Sequence, residues 1–420
     1  MQGSRPIAAA VVATVVAIGA SFLVPGDDAS APEPTCEWLA GDLDVHTAYT
    51  FINLRYMLLE QALAFSYGVQ EQADLAVERG LDFLAITDYD DLSAQEAPGY
   101  GTNGLVWIPA YEHPFGAPAQ LLGATEHFPG GEASVDAVET VATSLRESGG
   151  VFQVSHPGDR RWPRTYGTKI EPDAVEIWFN GPWAYDPKKI GKDPEFAIGY
   201  YDELLDRGYQ VAATAGSNSQ LRGLSKLAGI GQPTTWVCAG ERSVSGVLDG
   251  VAAGRTTVAH EYPSQGPLTE GESGGTSGTG AGDSDSGGFR NVPPADTDIP
   301  FVSMEGDRVG GESFEAVIGD TISPGDRIRV GVFDAPFSVL RLVADGSQVL
   351  EQVDVFTPSF VHTFEAPSGV SWIRAEVFAQ PEDTAGGPCD LSSDLATYCD
   401  NRIGMLALTS PIYVGGDEDE

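Results

Sequence analysis

The chain has 420 residues, 42% hydrophobic and 9% aromatic, enough to bury real cores, so it is not disordered throughout. Its 23 Lys and Arg against 61 Asp and Glu give a formal charge of −38. That excludes a typical nucleic-acid binder, which needs basic surface to displace phosphate counterions, and disfavours an anionic membrane face. At roughly 150 residues per domain the length suggests two to three domains.

The N-terminus carries the first signal. Arg5 precedes an uncharged apolar run over 7–25, and Ala29-Ser30-Ala31 follows as a small-residue cleavage pattern. Residues 1–31 therefore read as a secretory signal peptide or, uncleaved, as an N-terminal anchor. Both readings predict an exported protein, secreted, periplasmic or held at the outer face of the cell membrane. No second run of that length occurs. Four cysteines, Cys36, Cys238, Cys389 and Cys399, fit disulfides in such a compartment. Cys389 and Cys399 are near neighbours in a polar loop, which would leave Cys36 with Cys238; the pairing stays open. No C-x-x-C spacing suggests structural zinc.

From about 36 to 263, strand and helix patterns alternate. Strands are predicted over 38–46, 82–88, 106–112, 150–155, 174–179, 210–216 and 234–239. Several are nearly continuous apolar runs, as expected for strands covered on both faces; the run over 174–179 is interrupted only by Glu176. Helices are predicted over 54–79, 134–147 and 194–207, and one follows an N-cap at Ser243 and stops at Gly254. Repeated βα units imply an α/β fold with a parallel sheet, open or closed into a barrel.

Residues 264–298 are rich in Gly, Ser, Thr and Asp and read as a flexible linker. Over 299–416 the pattern turns to short strands, clearest in Arg327-Ile328-Arg329-Val330-Gly331-Val332, where apolar residues alternate with polar or small ones. An all-β, sandwich-like domain is predicted there.

Polar residues gather at the predicted strand ends: Asp42-Leu43-Asp44-Val45-His46, Thr87-Asp88-Tyr89, Glu112-His113, Ser155-His156-Pro157 and Ser217-Asn218-Ser219-Gln220. In a parallel barrel these ends project at one rim, where carboxylates and imidazoles are the donors of a divalent-metal site.

At these residues the chain resembles the PHP (polymerase and histidinol phosphatase) superfamily. Gly41-Asp42-Leu43-Asp44-Val45-His46-Thr47 resembles its first motif, G-D-L-H-x-H-[TS]. Ile86-Thr87-Asp88-Tyr89 resembles T-D-H, Glu112 its bridging carboxylate, Val154-Ser155-His156-Pro157 its H-P motif and Gly216-Ser217-Asn218-Ser219-Gln220 its G-S-D-x-H. Gly231-Gln232-Pro233-Thr234-Thr235 and Ala253-Gly254-Arg255-Thr256 resemble the closing segment of the CehA/McbA-type branch. The resemblance implies a distorted seven-stranded (βα) barrel holding up to three metal ions that hydrolyse phosphoesters or related esters. In such a closed barrel the first and last strands are neighbours, which makes Cys36–Cys238 a reasonable bridge.

The chain departs from the pattern at the ligands. Asp44 stands where the first His is usual, Tyr89 replaces the His of T-D-H, and Asn218 and Gln220 replace the Asp and His of G-S-D-x-H. Gln120 stands near a further His position; His113 and His127 fit its register poorly. Read through the resemblance, one ion is lost with Tyr89 and Gln220. A second would be held by Asp44, His46, Glu112 and Asn218, and a third keeps only Glu112 and His156. The expectation is one weakened divalent site (Mn²⁺, Mg²⁺, Ca²⁺ or Zn²⁺) or none. His156 would supply a ligand or move a proton, and Asp88 would orient a neighbour.

Independently, 160–192 holds seven basic residues against four acidic ones, inside a chain of −38. Aromatics are interleaved, including Trp162, Tyr166 and Trp183. Arg160, Arg161, Arg164 and Lys188 are the candidate contacts to a small anionic ligand or substrate. Two readings follow. One is a binding protein on a degenerate PHP-type barrel, catalytically impaired. The other is a single-metal hydrolase.

Overall fold

The computed structural model describes residues 36–53, 65–115, 118–129, 134–157, 167–179, 193–222, 229–260, 299–307, 314–379 and 405–415. The apolar run over 7–25, the linker over 264–298, Cys389 and Cys399 lie outside them. Among the described residues no helix is long and apolar enough to cross a membrane.

The N-terminal part alternates strands and helices. In chain order these are β1 Glu37–Val45, α1 Ala48–Asn53, α2 Val69–Glu78, β2 Phe83–Ile86, β3 Val106–Ile108, β4 Ala110–Pro114, β5 Pro118–Leu122, α3 Val135–Glu147, β6 Val151–Val154, β7 Ala174–Phe179, α4 Asp193–Asp206, β8 Ala212–Gly216, β9 Thr234–Ala239, α5 Val244–Ala252 and β10 Thr256–Ala259. The Ser243 cap forms as the sequence predicts, and Ser134 caps α3 as well. Ser134 accepts the Ala137 N–H and Ser243 the Gly246 N–H, at 3.2 and 3.0 Å. Val138, Val141, Ala142 and Leu145, spaced at helical intervals, form the buried stripe of α3.

One predicted strand divides. The segment over 106–112 breaks at Pro109, which offers no N–H to a ladder, so β3 and β4 enter different sheets. β5 and β10 were not predicted; each has only four or five residues.

The C-terminal part is strand-rich: β11 Phe301–Asp307, β12 Ala316–Val317, β13 Thr321–Ile322, β14 Arg327–Phe333, β15 Ser338–Ala344, β16 Gln348–Val355, β17 Ser359–Glu365, β18 Trp372–Ala379, β19 Met405–Thr409 and β20 Ile412–Val414.

Three sheets result. The largest follows the order β13-β20-β18-β19-β10-β9-β1-β2-β3, with β15 added on β18 and β16 on β15. A five-stranded sheet runs β4-β5-β6-β7-β8, and a four-stranded one β12-β11-β14-β17. The expected split between an α/β part and a β part holds in element content, but hydrogen bonds cross it. β10 pairs with β9 on one side and β19 on the other, setting Val258 opposite Thr235 and Leu408. The cores are shared too. Phe301 packs against Trp38 and Trp236, with ring centroids 4.9 and 5.6 Å away. Pro34–Glu420 accordingly groups as one compact unit.

Cys36 and Cys238 form a disulfide beside the antiparallel β1–β9 pair, in which Trp38 faces Cys238. Two short bridges bring the five-stranded sheet to the parallel end of the large one: Val45 with Ser219, and Tyr89 with Glu112. These bridges gather the strand ends that carry the polar residues.

Candidate functional site

Asp44 lies near the end of β1 and His46 just beyond it; Asp88 follows β2, Glu112 sits in β4, His156 follows β6, and Asn218 and Gln220 follow β8. All are buried. The structure brings Asp44, His46, Glu112 and His156 together. His46 Nε2 stands 3.2 Å from Asp44 Oδ1 and 4.0 Å from Glu112 Oε2, and His156 Nε2 stands 3.3 Å from Glu112 Oε1.

Asp88 supports this group from behind. Its carboxylate accepts the Thr47 N–H at 2.6 Å and the Thr47 and Thr50 hydroxyls at 2.5 and 2.7 Å. The Thr50 hydroxyl also meets His46 Nδ1 at 3.0 Å, so Asp88 acts on His46 through a threonine.

Asp42 ties the strand ends together. It accepts N–H groups from Asp44, Ser217 and Gly231, linking β1, the turn after β8 and the approach to β9. Burial pushes its carboxyl up to about 6 against those hydrogen bonds.

The electrostatics of the cluster are mutual. Burial opposes charge on both Asp44 and His46, but their pairing outweighs it. Asp44 is held well below the usual carboxylate range. His46 is raised to about 9 by Asp44's hydrogen bond and charge, with help from Glu112 and Asp88. Burial, then the charge of Asp44, pushes Glu176 well above the ordinary range.

Two site residues hold left-handed backbone, His156 at φ 25° and Asn218 at φ 49°. Such conformations cost roughly 1–3 kcal/mol and persist where the surroundings fix them. Gly216 has a steric reason. A Cβ there would lie 2.3 Å from Asp44 Cβ and 2.6 Å from Glu176 Oε1.

The amides at the end of β8 form a chain. Asp44 Oδ2 can only accept, so the Asn218 side chain turns its nitrogen there, at 3.1 Å. That leaves Asn218 Oδ1 to accept from Gln220 Nε2, at 2.7 Å. Asp44 Oδ1 meanwhile takes the Thr87 hydroxyl at 2.8 Å. Both Asp44 oxygens and Asn218 Oδ1 thus each accept one of these protein donors. Among the described residues no three His, Cys, Asp or Glu side chains are grouped to hold a metal ion. Asp44, His46, Glu112 and Asn218 are the residues that would hold an ion at these strand ends.

Sequence reasoning missed Gln153, Glu176 and Thr214, which extend Glu112 and Gln120 into a row of polar side chains. Glu112 pairs across strands with Gln120, and Gln120 with Gln153; Glu176 pairs with Thr214. Gln153 donates to Gln120 and accepts the Thr214 hydroxyl at 2.9 Å. The signal was present as single polar letters inside apolar strands, Gln153 in Val-Phe-Gln-Val and Glu176 in Ala-Val-Glu-Ile. His113 is not in the cluster; it stacks on Phe115, with centroids 3.8 Å apart. Arg160, Arg161, Arg164 and Lys188 lie outside the described residues, on segments that leave Pro157 and Phe179.

No family model matches this chain, and no curated protein matches it. Among solved structures it is similar to a two-domain protein from Bacteroides vulgatus containing a predicted PHP-like metal-dependent phosphoesterase. The identity is 12% and the TM-score 0.38, over 83% of this chain and 92% of the other.

Proposed function

We propose that this chain is an exported protein on a PHP-type phosphoesterase barrel, and that it is a catalytically impaired binder of a small anionic ligand. The observation that carries this reading is the amide chain Gln220–Asn218–Asp44, which spends carboxylate and carbonyl lone pairs on protein N–H groups. These amides stand where the resembled motif has an acid and an imidazole. Export rests on the apolar run over 7–25 and the cleavage pattern after it. Anion binding rests on the basic residues Arg160, Arg161, Arg164 and Lys188, which follow the strand ends bearing His156 and Phe179.

A single-metal hydrolase is the second reading, favoured by the approach of His46, Glu112 and His156 within 4.0 Å of one another along the chain of contacts. Metal content by mass spectrometry, with hydrolysis of a generic aryl phosphodiester under added Mn²⁺ or Zn²⁺, separates the two. Binding without catalysis predicts no retained ion and no hydrolysis. It also predicts loss of phenyl phosphate binding when Arg160, Arg161 and Lys188 are all changed to Ala. A tightly held ion, lost together with activity in Glu112→Ala, would establish the hydrolase instead.

A further inference from the structure

We infer that Glu176 is a positioning residue of this site, fixing where the His156 imidazole meets Glu112. The inference rests on the reading above that the chain binds a small anion through residues that follow these strand ends.

Glu176 lies mid-strand in β7 with zero exposure, between the buried apolar residues Val175 and Ile177. A carboxyl in such a place is costly unless something there needs its oxygens. Oε2 accepts the His156 N–H at 2.7 Å, at the residue whose φ of 25° is left-handed. This bond crosses from β7 to the turn after β6 and holds the peptide in that conformation. Oε1 lies beside Asp44 across Gly216, where the missing Cβ leaves room for both carboxyl groups.

Together these contacts close a ring. Asp44 meets His46, His46 faces Glu112, Glu112 meets His156, the His156 peptide is held by Glu176, and Glu176 returns to Asp44. Without Glu176 the ring is open at His156, whose imidazole still meets Glu112, the charge of Asp44 and Phe179, its ring centroid 4.6 Å away.

The test uses the ligand-free full chain with ¹⁵N-labelled histidine. Side-chain signals of His46, His113, His127, His156, His260 and His362 are read in Glu176→Gln and Glu176→Asp. Gln keeps an acceptor at the same reach, so the His156 signals should stay. Asp withdraws the acceptor by one methylene, so His156 should shift while His260 and His362 do not. Phenyl phosphate should then bind about tenfold more weakly to the Asp variant and normally to the Gln variant, as expected for one lost hydrogen bond. Unmoved His156 signals in the Asp variant, or equal movement in the Gln variant, would overturn the inference. So would an Asp variant that fails to fold beside a folded Gln variant, which assigns Glu176 to the fold alone. If the unmodified chain binds no phenyl phosphate, the binding reading fails while the histidine signals still judge Glu176.

Discussion

Two buried clusters of charge differ in how they are completed. In the first, Arg374 is fully buried, donates to Asp202 and Glu376, and has its guanidinium 5.1 Å from the Trp372 ring centroid. It joins α4 to β18, the backbone of Arg374, Asp202 and Glu376 is itself ordinary, and its geometry explains its presence. The second gathers Asp44, Glu112, Glu176, His46 and His156. It keeps His156 and Asn218 in left-handed backbone. Burial of charge is common to both and marks neither as functional. Left-handed backbone at His156 and Asn218 distinguishes the second, since such strain persists only where the surroundings hold it.

The comparison can be broken most strongly at Arg374. Arg374→Met leaves Asp202 and Glu376 buried without their cation and should cost on the order of 3–5 kcal/mol in denaturant unfolding. Phenyl phosphate binding of the folded fraction should not change; if it does, the clusters are not independent.

A second effect, about 3 kcal/mol, belongs to His46 and to pH. Its folded-state value of about 9 lies above the ordinary 6.5, so the folded chain holds the proton more tightly. That stability is fully present below pH 6.5 and is lost as pH rises through 9. Unfolding free energies between pH 6 and 9.5 should fall accordingly, less so in His46→Gln and unchanged in slope in Arg374→Met.

Gly216→Ala should cost roughly 1–3 kcal/mol, since its Cβ has no space beside Asp44. Unlike Arg374→Met, it should also shift the His46 signals. Ser134→Ala touches neither cluster, removing only the α3 cap, and should cost about 1 kcal/mol with no effect on ligand. It sets the background against which the larger losses are judged.

Much of this was legible in the sequence. Strands Ala174–Phe179 and Thr234–Ala239 fall where their apolar runs predict, and the gathering of Asp44, His46, Glu112 and His156 follows from their strand-end positions. Glu176 was not legible as a site residue, because one acid in an apolar run looks like an interruption until the strand's interior face is known. β10 escaped notice because Thr-Thr-Val-Ala is too short for alternation to speak. The shared core could not be foreseen either; Phe301 reads only as the start of a β-rich segment, with nothing local to tie it to Trp38.

β10 has a consequence for how the molecule is assembled. Val258 waits for Leu408, about 150 positions later in the chain, before its outer edge is paired. Contacts of such separation are slow to form, and an unpaired strand edge invites other chains meanwhile. The sheet therefore closes only once nearly the whole chain is available. Truncation before β19 should leave an aggregation-prone fragment rather than a smaller folded protein.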